Sequence, residues 1–443
     1  MKIERDIIAQ LLKWKSKENR QPLVLKGARQ IGKTWTMKEF GKRYFNNTAY
    51  FNFEETQELK DVFATTKNVE RILGQLALHT STSIQPETTL IIFDEIQECN
   101  DALNSLKYFC ENAPEYAIIA AGSLLGVTLS KGDSFPVGKV DFIQMFPVTF
   151  KEFLNSESPN LYDYIEQIKT IEELSSYIFN RISESYKRYT ISGGMPQAAS
   201  EILNNKGMDD VDNVLQNILN AYALDFSKHA ETKEIHRITS IWNSIPSQLA
   251  KENRKFIYQL VKPGARAREY ENALLWLQHA GFIYRIFANK KPFLPLVAYD
   301  DITAFKIYTS DIGLLRRLAK LPPDIIVNGS NIYTEFKGSM AENFVLQSLI
   351  TQYEVIRYWT SEGKAEVDFI IQKNNEIFPI EVKAGRLTNS KSLSAYNNLY
   401  NPKLRIRYSV NNLKLDNNLL NIPIFLADWT SKFTELALNQ DMK

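Results

Sequence analysis

The chain has 443 residues, enough for about three domains of ordinary size, and its 44% hydrophobic and 23% charged residues are typical of a globular protein. This composition excludes a disordered chain, a collagen-like fibre and a coiled-coil rod. The 53 Lys and Arg against 51 Asp and Glu give a net charge of +2. That balance argues against a uniformly basic nucleic-acid coat protein and permits a local basic patch.

Cysteine content, histidine content and hydropathy narrow the class further. Cys99 and Cys110 are too few for a disulfide framework or a cysteine zinc site, and four scattered histidines argue against a His-rich metal centre. Residues 1–6 lack the apolar core of a signal peptide, and no apolar run approaches the roughly 18 residues of a membrane span. We therefore expect a reduced, cytoplasmic protein with no membrane partner.

The first third of the chain alternates between helical and extended patterns. Residues 3–14 repeat apolar side chains at helical spacing, and apolar strands follow at 22–25, 48–53, 88–93 and 116–121, with helical stretches between them. This alternation predicts a three-layer α/β core, in which helices cover both faces of a parallel sheet.

The middle of the chain is predominantly helical. Residues 147–154 indicate a transition, and residues 160–230 predict a helical region. Further helices are predicted at 236–250, 254–262 and about 267–280, the last with Gly281 as its C-cap.

The remaining residues predict strands and one more helix. Strands over 282–309 are interrupted by residues 289–292, so that three helices and a β-hairpin, the parts of a winged helix, follow one another. After breaks at Pro322-Pro323 and Asn328-Gly329, a helix at about 336–352 precedes several short strands.

A glycine-rich segment directly after the first strand matches the phosphate-binding pattern G-x-x-x-x-G-K-[ST] completely. Its glycines let backbone N–H groups surround a phosphate, and the following helix N-terminus adds positive potential. Lys33 is expected to reach the β- and γ-phosphates of ATP, and Thr34 to hold Mg²⁺. The residues expected to bind the nucleotide are Gly27, Ala28, Arg29, Gln30, Ile31, Gly32, Lys33, Thr34 and Trp35.

Two acidic residues end the strand at 88–93. Asp94 is placed to hold Mg²⁺ through water, and Glu95 to act as the general base on the attacking water. The strand at 48–53 lies between the two motifs in sequence. Ser123 follows the strand at 116–121, where it either contacts the γ-phosphate or the water, or only caps a turn.

These motifs resemble the AAA-type ATPases, and more specifically the prokaryotic ATPases whose C-terminal half is a domain of unknown function. The resemblance rests on residues 27–34, 93–95, 121–123, 146–153, 193–196 and 381–383. Such relatives commonly carry Gly-Arg where this chain has Gly138-Lys139. If that arginine meets the phosphates, Lys139 offers only a point charge. Arg181 and Arg188 are candidates for an arginine finger, each with the alternative of a solvated helix residue.

A second constellation lies near the C-terminus. Asn374-Asn375 between two apolar runs predicts a two-residue hairpin turn, because Asn tolerates positive φ. That turn sets Asp368 directly opposite Glu381, and Lys383 projects from the same face. Opposed carboxylates repel each other, and a divalent metal relieves the repulsion.

This hairpin resembles the core of the PD-(D/E)XK nucleases. The resemblance implies that Asp368 and Glu381 bind a second Mg²⁺ or Mn²⁺, that Lys383 orients water, and that Glu342 is a further ligand. The alternatives are a solvated charged face, or a nuclease-like fold that only binds DNA or docks a partner.

The region at 251–270 is basic, with six Lys and Arg against two Glu. In a winged helix, Arg266 and Arg268 would lie at the start of the recognition helix, against double-stranded DNA. Lys290 and Lys291 at the hairpin tip would contact backbone phosphates. The alternatives are a solvated surface and a packing or oligomerisation module.

The sequence thus predicts an Mg²⁺-dependent ATPase with a DNA-directed output. Its expected domains are a P-loop core (1–155), a helical lid (156–232), a winged-helix module (233–325) and a restriction-endonuclease-like α/β domain (326–443). The alternative function is a nucleotide-switched regulatory protein whose nuclease-like domain is inactive. Homo-oligomerisation is a further expectation from the AAA resemblance.

Overall fold

The computed structural model describes residues 2–80, 83–130, 136–251, 255–329, 334–361, 365–385 and 390–440. They form two compact units. The first consists of Arg5–Pro147 with His279–Phe282, and the second contains the rest of the described chain.

The strands and helices follow one another in the order that the sequence predicts for an α/β protein. The strands are β1 (Leu23–Lys26), β2 (Asn47–Asn52), β3 (Thr89–Asp94), β4 (Ala117–Ala121), β5 (Asp141–Gln144), β6 (Ile283–Asn289), β7 (Asp300–Thr309), β8 (Ile356–Thr360), β9 (Glu366–Lys373), β10 (Glu376–Lys383), β11 (Arg405–Ser409), β12 (Lys414–Asp416) and β13 (Leu419–Pro423). The helices are α1 (Ile7–Lys15), α2 (Lys33–Tyr44), α3 (Glu58–Thr65), α4 (Val69–His79), α5 (Asn100–Asn112), α6 (Leu125–Ser130), α7 (Phe150–Glu157), α8 (Pro159–Gln167), α9 (Ser176–Ser192), α10 (Pro196–Leu203), α11 (Met208–His229), α12 (Thr232–Leu249), α13 (Tyr258–Val261), α14 (Ala267–His279), α15 (Ile312–Leu318), α16 (Pro323–Asn328), α17 (Thr334–Leu349), α18 (Lys391–Tyr400) and α19 (Thr430–Gln440).

The first unit is built on a parallel five-stranded sheet in the order β2-β3-β4-β1-β5. Every residue of β3 and β4 is buried, as a sheet covered by helices on both faces requires. The predicted α/β core is therefore confirmed. Strand β4 separates the strand that precedes the glycine-rich loop from the strand that ends in the two acids.

One edge strand was missed. Strand β5 pairs with β1 and has only four residues, none of them fully buried. Phe142 on this strand is 45% exposed. Such a segment lacks the apolar run by which the other four strands were predicted.

Helices make up the first part of the second unit, as expected for residues 160–230. Helix α7 begins with a capping box, in which the Thr149 hydroxyl accepts from the Glu152 backbone N–H and the Glu152 carboxylate accepts from the Thr149 N–H. Helices α12 and α14 correspond to the first and third predicted helices of the basic region. The second, α13, has only four residues.

The second unit also contains an eight-stranded mixed sheet in the order β12-β13-β11-β10-β9-β8-β6-β7. The predicted hairpin β6–β7 is present, but it does not form a separate wing. Ala288 and Asn289 of β6 pair with Tyr358 and Trp359 of β8, so the hairpin is continuous with the C-terminal strands. Because the hairpin belongs to this larger sheet, the prediction of an independent winged-helix module is not confirmed.

No helix in the described part of the chain has both the length and the hydropathy that crossing a bilayer requires.

Candidate nucleotide-binding site and the charged hairpin

The glycine-rich loop runs from the carboxyl end of β1 into α2. Gly27 has φ +152°, and a Cβ there would lie 2.5 Å from both the Met145 carbonyl oxygen and Ile31 Cδ1. Gly32 at the N-cap of α2 has φ +92°, in the left-handed region that favours glycine. The two glycines therefore satisfy steric requirements of the loop that other residues would violate.

Lys33 folds back over this loop. Its side chain is buried, and its ammonium donates to the carbonyl oxygens of Gly27 at 2.9 Å and Ala28 at 2.7 Å. Burial lowers the pKa of Lys33 to about 8, although the nearby carboxylates of Glu95 and Asp94 act in the opposite direction. A buried cation with this depressed pKa would be stabilised by an anion such as a phosphate.

Asp94 at the end of β3 accepts two hydroxyl hydrogen bonds. Thr34 Oγ1 donates to Asp94 Oδ2 at 2.6 Å, and the Tyr50 hydroxyl donates to the same oxygen at 2.9 Å. Burial raises the pKa of Asp94 against the opposing effect of these hydrogen bonds. Hydroxyl and carboxylate oxygens are the donor types that Mg²⁺ prefers, so Thr34 and Asp94 fit the predicted metal.

Glu95 is held beside this pair in a left-handed backbone conformation, with φ +49°. Its Oε2 accepts from the Ser123 backbone N–H at 3.0 Å, Ser123 Oγ at 2.9 Å and Gln97 Nε2 at 2.6 Å. Burial opposes ionisation, but these hydrogen bonds and the charge of Lys33 outweigh it and lower the pKa of Glu95. A carboxylate that stays ionised can accept a proton, as the predicted general base must.

Five predicted site residues thus meet at the carboxyl ends of β1, β3 and β4: Lys33, Thr34, Asp94, Glu95 and Ser123. Ser123 does more than cap a turn, because both of its donors bind the Glu95 carboxylate.

The remaining predicted loop residues differ in exposure. Ala28 and Ile31 are buried, whereas Trp35 is 42% exposed. Gln30 takes a positive φ of 64°, and Arg29 lies close enough to Lys33 to lower its pKa.

Three supporting residues were missed from the sequence: Tyr50, Gln97 and Arg5. Arg5 is buried and donates to the carbonyl oxygens of Ile31 at 3.0 Å and Phe146 at 2.7 Å, which fixes the loop from below. Tyr50 and Arg5 meet the site through contacts distant in sequence, and Gln97, although only two residues from Glu95, belongs to no recognised local motif. Tyr50 lies on a predicted strand and Gln97 lies two residues after the predicted base, and these positions were the sequence signals for them.

Lys139 lies at the amino ends of the parallel strands, whereas the phosphate loop lies at their carboxyl ends. It precedes β5, which runs parallel to β1, whereas the loop follows β1. Its ammonium pairs with Glu111 Oε1 at 2.9 Å. Because β1 and β5 are parallel, Lys139 and the glycine-rich loop lie at opposite ends of these two strands, so Lys139 is placed away from the phosphate site of its own chain.

The two arginine-finger candidates both have partners within the second unit. Arg188 donates to the Ile202 carbonyl oxygen at 2.6 Å and pairs with Glu157 at 3.0 Å. Arg181 is exposed and lies over the Tyr177 ring.

The hairpin β9–β10 has the predicted register. Phe369 pairs with Ile380, and the same register places Asp368 opposite Glu381. Asp368 accepts from the Val382 backbone N–H at 2.8 Å, and Lys383 Nζ lies 2.5 Å from Glu381 Oε1. The Ser390 hydroxyl also donates to Glu381.

Glu342 of α17 is oriented toward other partners. It is fully buried, accepts a hydrogen bond from the Tyr308 hydroxyl, and lies 3.5 Å from Lys306 Nζ. Lys306 also pairs with Glu366 at 2.7 Å. Among the described residues, no three His, Cys, Asp or Glu side chains gather into a metal-binding group. The structure therefore gives the predicted third ligand a different set of contacts.

The predicted DNA-contacting residues are exposed. Arg266 and Arg268 lie at the start of α14, and Lys290 and Lys291 follow β6. Lys290 forms an ion pair with Asp301 at 2.9 Å. The sequence-predicted contribution of Arg254 to this basic region lies outside the described residues.

Family models match three segments of the chain. Residues 19–154, which contain the whole loop and both acids, match an AAA domain. The protein carries an AAA-type domain over these residues. Residues 183–325 match a domain of unknown function (DUF8612), and residues 337–425 match a second one (DUF4143). The predicted combination of an N-terminal AAA domain with a C-terminal domain of unknown function is therefore confirmed.

Solved structures are similar to this chain only at low identity and low TM-score. The Walker-type ATPase PABY2304 of Pyrococcus abyssi is 13% identical, with a TM-score of 0.45 over 72% of this chain and 96% of that one. The Aeropyrum pernix ORC1 protein in complex with DNA is 12% identical, with a TM-score of 0.29, covering 74% and 95%. The Thermotoga maritima RuvB Holliday junction branch migration motor is 13% identical, with a TM-score of 0.29, covering 66% and 90%. The comparison with curated proteins gave no match.

Proposed function

We propose that the AAA domain binds ATP with Mg²⁺ and hydrolyses it to ADP and phosphate. The observation that carries this proposal is the convergence of Lys33, Thr34, Asp94 and Glu95 at the carboxyl ends of the parallel strands, with a direct hydrogen bond from Thr34 to Asp94. Phosphoryl transfer depends on positioning and on charge stabilisation, and these four side chains are of the types that supply both.

Each residue has a defined task in this reaction. The loop N–H groups and Lys33 bind the phosphates, and Thr34 and Asp94 would hold Mg²⁺. The metal, when bound, neutralises charge on the phosphate oxygens. Glu95 accepts the proton of the attacking water, while Ser123 holds the Glu95 carboxylate in place.

ATP binding and turnover, measured together, test this proposal. We expect Lys33→Ala to abolish binding in calorimetry, and Glu95→Gln to retain binding and lose at least about 100-fold in kcat. Lys42→Ala is the matched control, since Lys42 is an exposed lysine of the same helix α2. Wild-type protein that neither binds nor hydrolyses ATP with Mg²⁺ would overturn the proposal.

The output of the ATPase is proposed to act on DNA through the second unit. The exposed basic residues Arg266, Arg268, Lys290 and Lys291 support this proposal, because exposed cations at a helix start and beside a strand suit phosphate contacts. Double-stranded DNA binding should weaken in the Arg266→Ala/Arg268→Ala variant and stay unchanged in Lys169→Ala. Equal affinity in wild type and the double variant would contradict it.

The charged hairpin supports two alternative roles of the C-terminal domain. The opposition of Asp368 and Glu381 favours a nuclease with a second Mg²⁺ or Mn²⁺, assisted by Lys383. The contacts that already bind these carboxylates favour a docking domain in a nucleotide-switched regulatory protein. Mn²⁺-dependent plasmid cleavage that disappears in Asp368→Asn and Lys383→Ala identifies the nuclease. DNA or protein affinity that differs between ADP and ATP, without cleavage, identifies the switch.

A further inference from the structure

Three hydrogen bonds converge on a single oxygen of the proposed base. Glu95 Oε2 accepts from both donors of Ser123 and, at the shortest distance, 2.6 Å, from Gln97 Nε2. Glu95 Oε1 receives none of these three hydrogen bonds. Gln97 lies two residues after Glu95, in the 3₁₀ turn Ile96–Glu98.

The Gln97 amide occupies space that is left open by a glycine, Gly122, in the loop after β4. A Cβ built on Gly122 would lie 1.9 Å from Gln97 Oε1 and 3.0 Å from Gln97 Cδ. Gly122 directly follows β4 and precedes Ser123. Any larger residue at 122 would therefore displace the amide of Gln97, the flexible end of its side chain.

The Gln97 amide is not arranged for stability alone. Its Oε1 is buried and accepts no hydrogen bond from the described groups of the protein. A buried acceptor without a donor destabilises the folded state. The same amide makes its one short hydrogen bond to Glu95, so its placement serves that carboxylate.

From these contacts we infer that Gln97 is a positioning residue for the general base Glu95, and that Gly122 is glycine to make room for it. The inference rests on the ATPase function proposed above. Gln97 fixes Oε2, so that Oε1 keeps one orientation toward the attacking water. A base displaced by about 1 Å loses much of its effect on rate.

Steady-state ATP hydrolysis tests the inference in Gln97→Met, Gly122→Ala and the double variant, with exposed Gln85→Met as the matched control. We expect Gln97→Met to lower kcat by about 10- to 100-fold, with KM for ATP within about twofold of wild type. Gly122→Ala should have a similar effect, and the double variant should be no slower than Gly122→Ala.

Thermal unfolding and ADP binding separate this role from a structural one. A positioning role leaves the unfolding temperature and ADP affinity of Gln97→Met near wild type. A kcat of Gln97→Met equal to that of wild type, or fully additive losses of kcat in the double variant, would overturn the inference while the ATPase proposal stands. If wild type itself hydrolyses no ATP, or Glu95→Gln is fully active, the ATPase assignment of Glu95 fails first and the inference with it.

Discussion

Lys33 makes proton uptake on nucleotide binding a quantitative test of the phosphate site. Burial lowers the pKa of Lys33 to about 8, from the 10.5 that is ordinary for a lysine in water. An anionic phosphate beside the ammonium would reverse that effect and raise the pKa again. Nucleotide binding above pH 8 should therefore take a proton from solution onto Lys33.

The size of the uptake follows from the fraction of Lys33 that is neutral before binding. With a pKa of about 8, roughly 0.75 of the side chains are neutral at pH 8.5 and about 0.1 at pH 7. If the bound-state pKa lies above 10, binding takes up about 0.7 proton at pH 8.5 and about 0.1 at pH 7.

Calorimetric titration of Mg²⁺ and ADP in Tris and in Hepes measures this number, because the buffers release protons with different enthalpies. The pH 7 titration is the internal control, and ADP avoids heat from hydrolysis. Equal apparent enthalpies in the two buffers at pH 8.5, despite tight binding, would refute the reasoning about Lys33.

The same shift predicts an effect on stability without nucleotide. Between pH 8 and 10.5 the unfolded state holds more protons than the folded state, so the free energy of unfolding should rise with pH across this window. Below pH 8 the full cost, about 3 kcal/mol, is present. Lys33→Met removes this cost along with two hydrogen bonds to carbonyls, and is expected to raise the free energy of unfolding by about 1–2 kcal/mol. A destabilised Lys33→Met protein would contradict this account.

Three further predictions concern the loop, the metal and a buried ion pair. Gly27→Ala should lower the free energy of unfolding by about 2–5 kcal/mol and abolish ADP binding, whereas Gly74→Ala, in an open helix position, should stabilise by about 0.5–1 kcal/mol in the same urea titrations. Thr34→Val should raise the Mg²⁺ concentration for half-maximal hydrolysis, and EDTA should stop turnover completely. Asp212→Ala leaves Arg316, which is fully buried, without its carboxylate, and should cost about 2–4 kcal/mol in unfolding free energy; an unchanged urea midpoint would exclude this role.

The sequence alone predicts the glycine-rich loop, four strands of the parallel sheet and the C-terminal hairpin, because each is determined by residues close together in sequence. The loop that begins at Gly27 needs only its own glycines and the neighbouring strand and helix, and the four apolar strands of the core are recognisable by composition. The two-residue turn at Asn374-Asn375 fixes the register of the hairpin by itself. Counting outward from the turn, each residue of β9 pairs with the residue of β10 at the same distance from the turn. Asn374 has the expected positive φ of 54°.

Pairings between distant segments could not be read in the same way. Strand β6 joins β8 through two residue pairs about 70 positions apart, and neither strand carries a signal for the other. The sequence therefore predicted a separate winged helix where the structure has one continuous sheet. Arg5 escaped prediction for the same reason, because it donates to carbonyl oxygens of distant residues. Gln97 lies only two residues from Glu95, but its hydrogen bond depends on the local backbone geometry, which has no sequence signature.

Parallel strand direction explains both the composition of the site and the exclusion of Lys139. Residues that follow β1, β3 and β4 meet at one edge because those strands point the same way, so Lys33, Glu95 and Ser123 converge although about 90 residues separate the first from the last. A residue that precedes β5 lies at the other edge by the same rule. Lys139→Ala should therefore leave ATP hydrolysis by an isolated protomer unchanged. A loss of hydrolysis that appears only at concentrations where protomers associate would instead assign Lys139 to the site of a neighbouring copy.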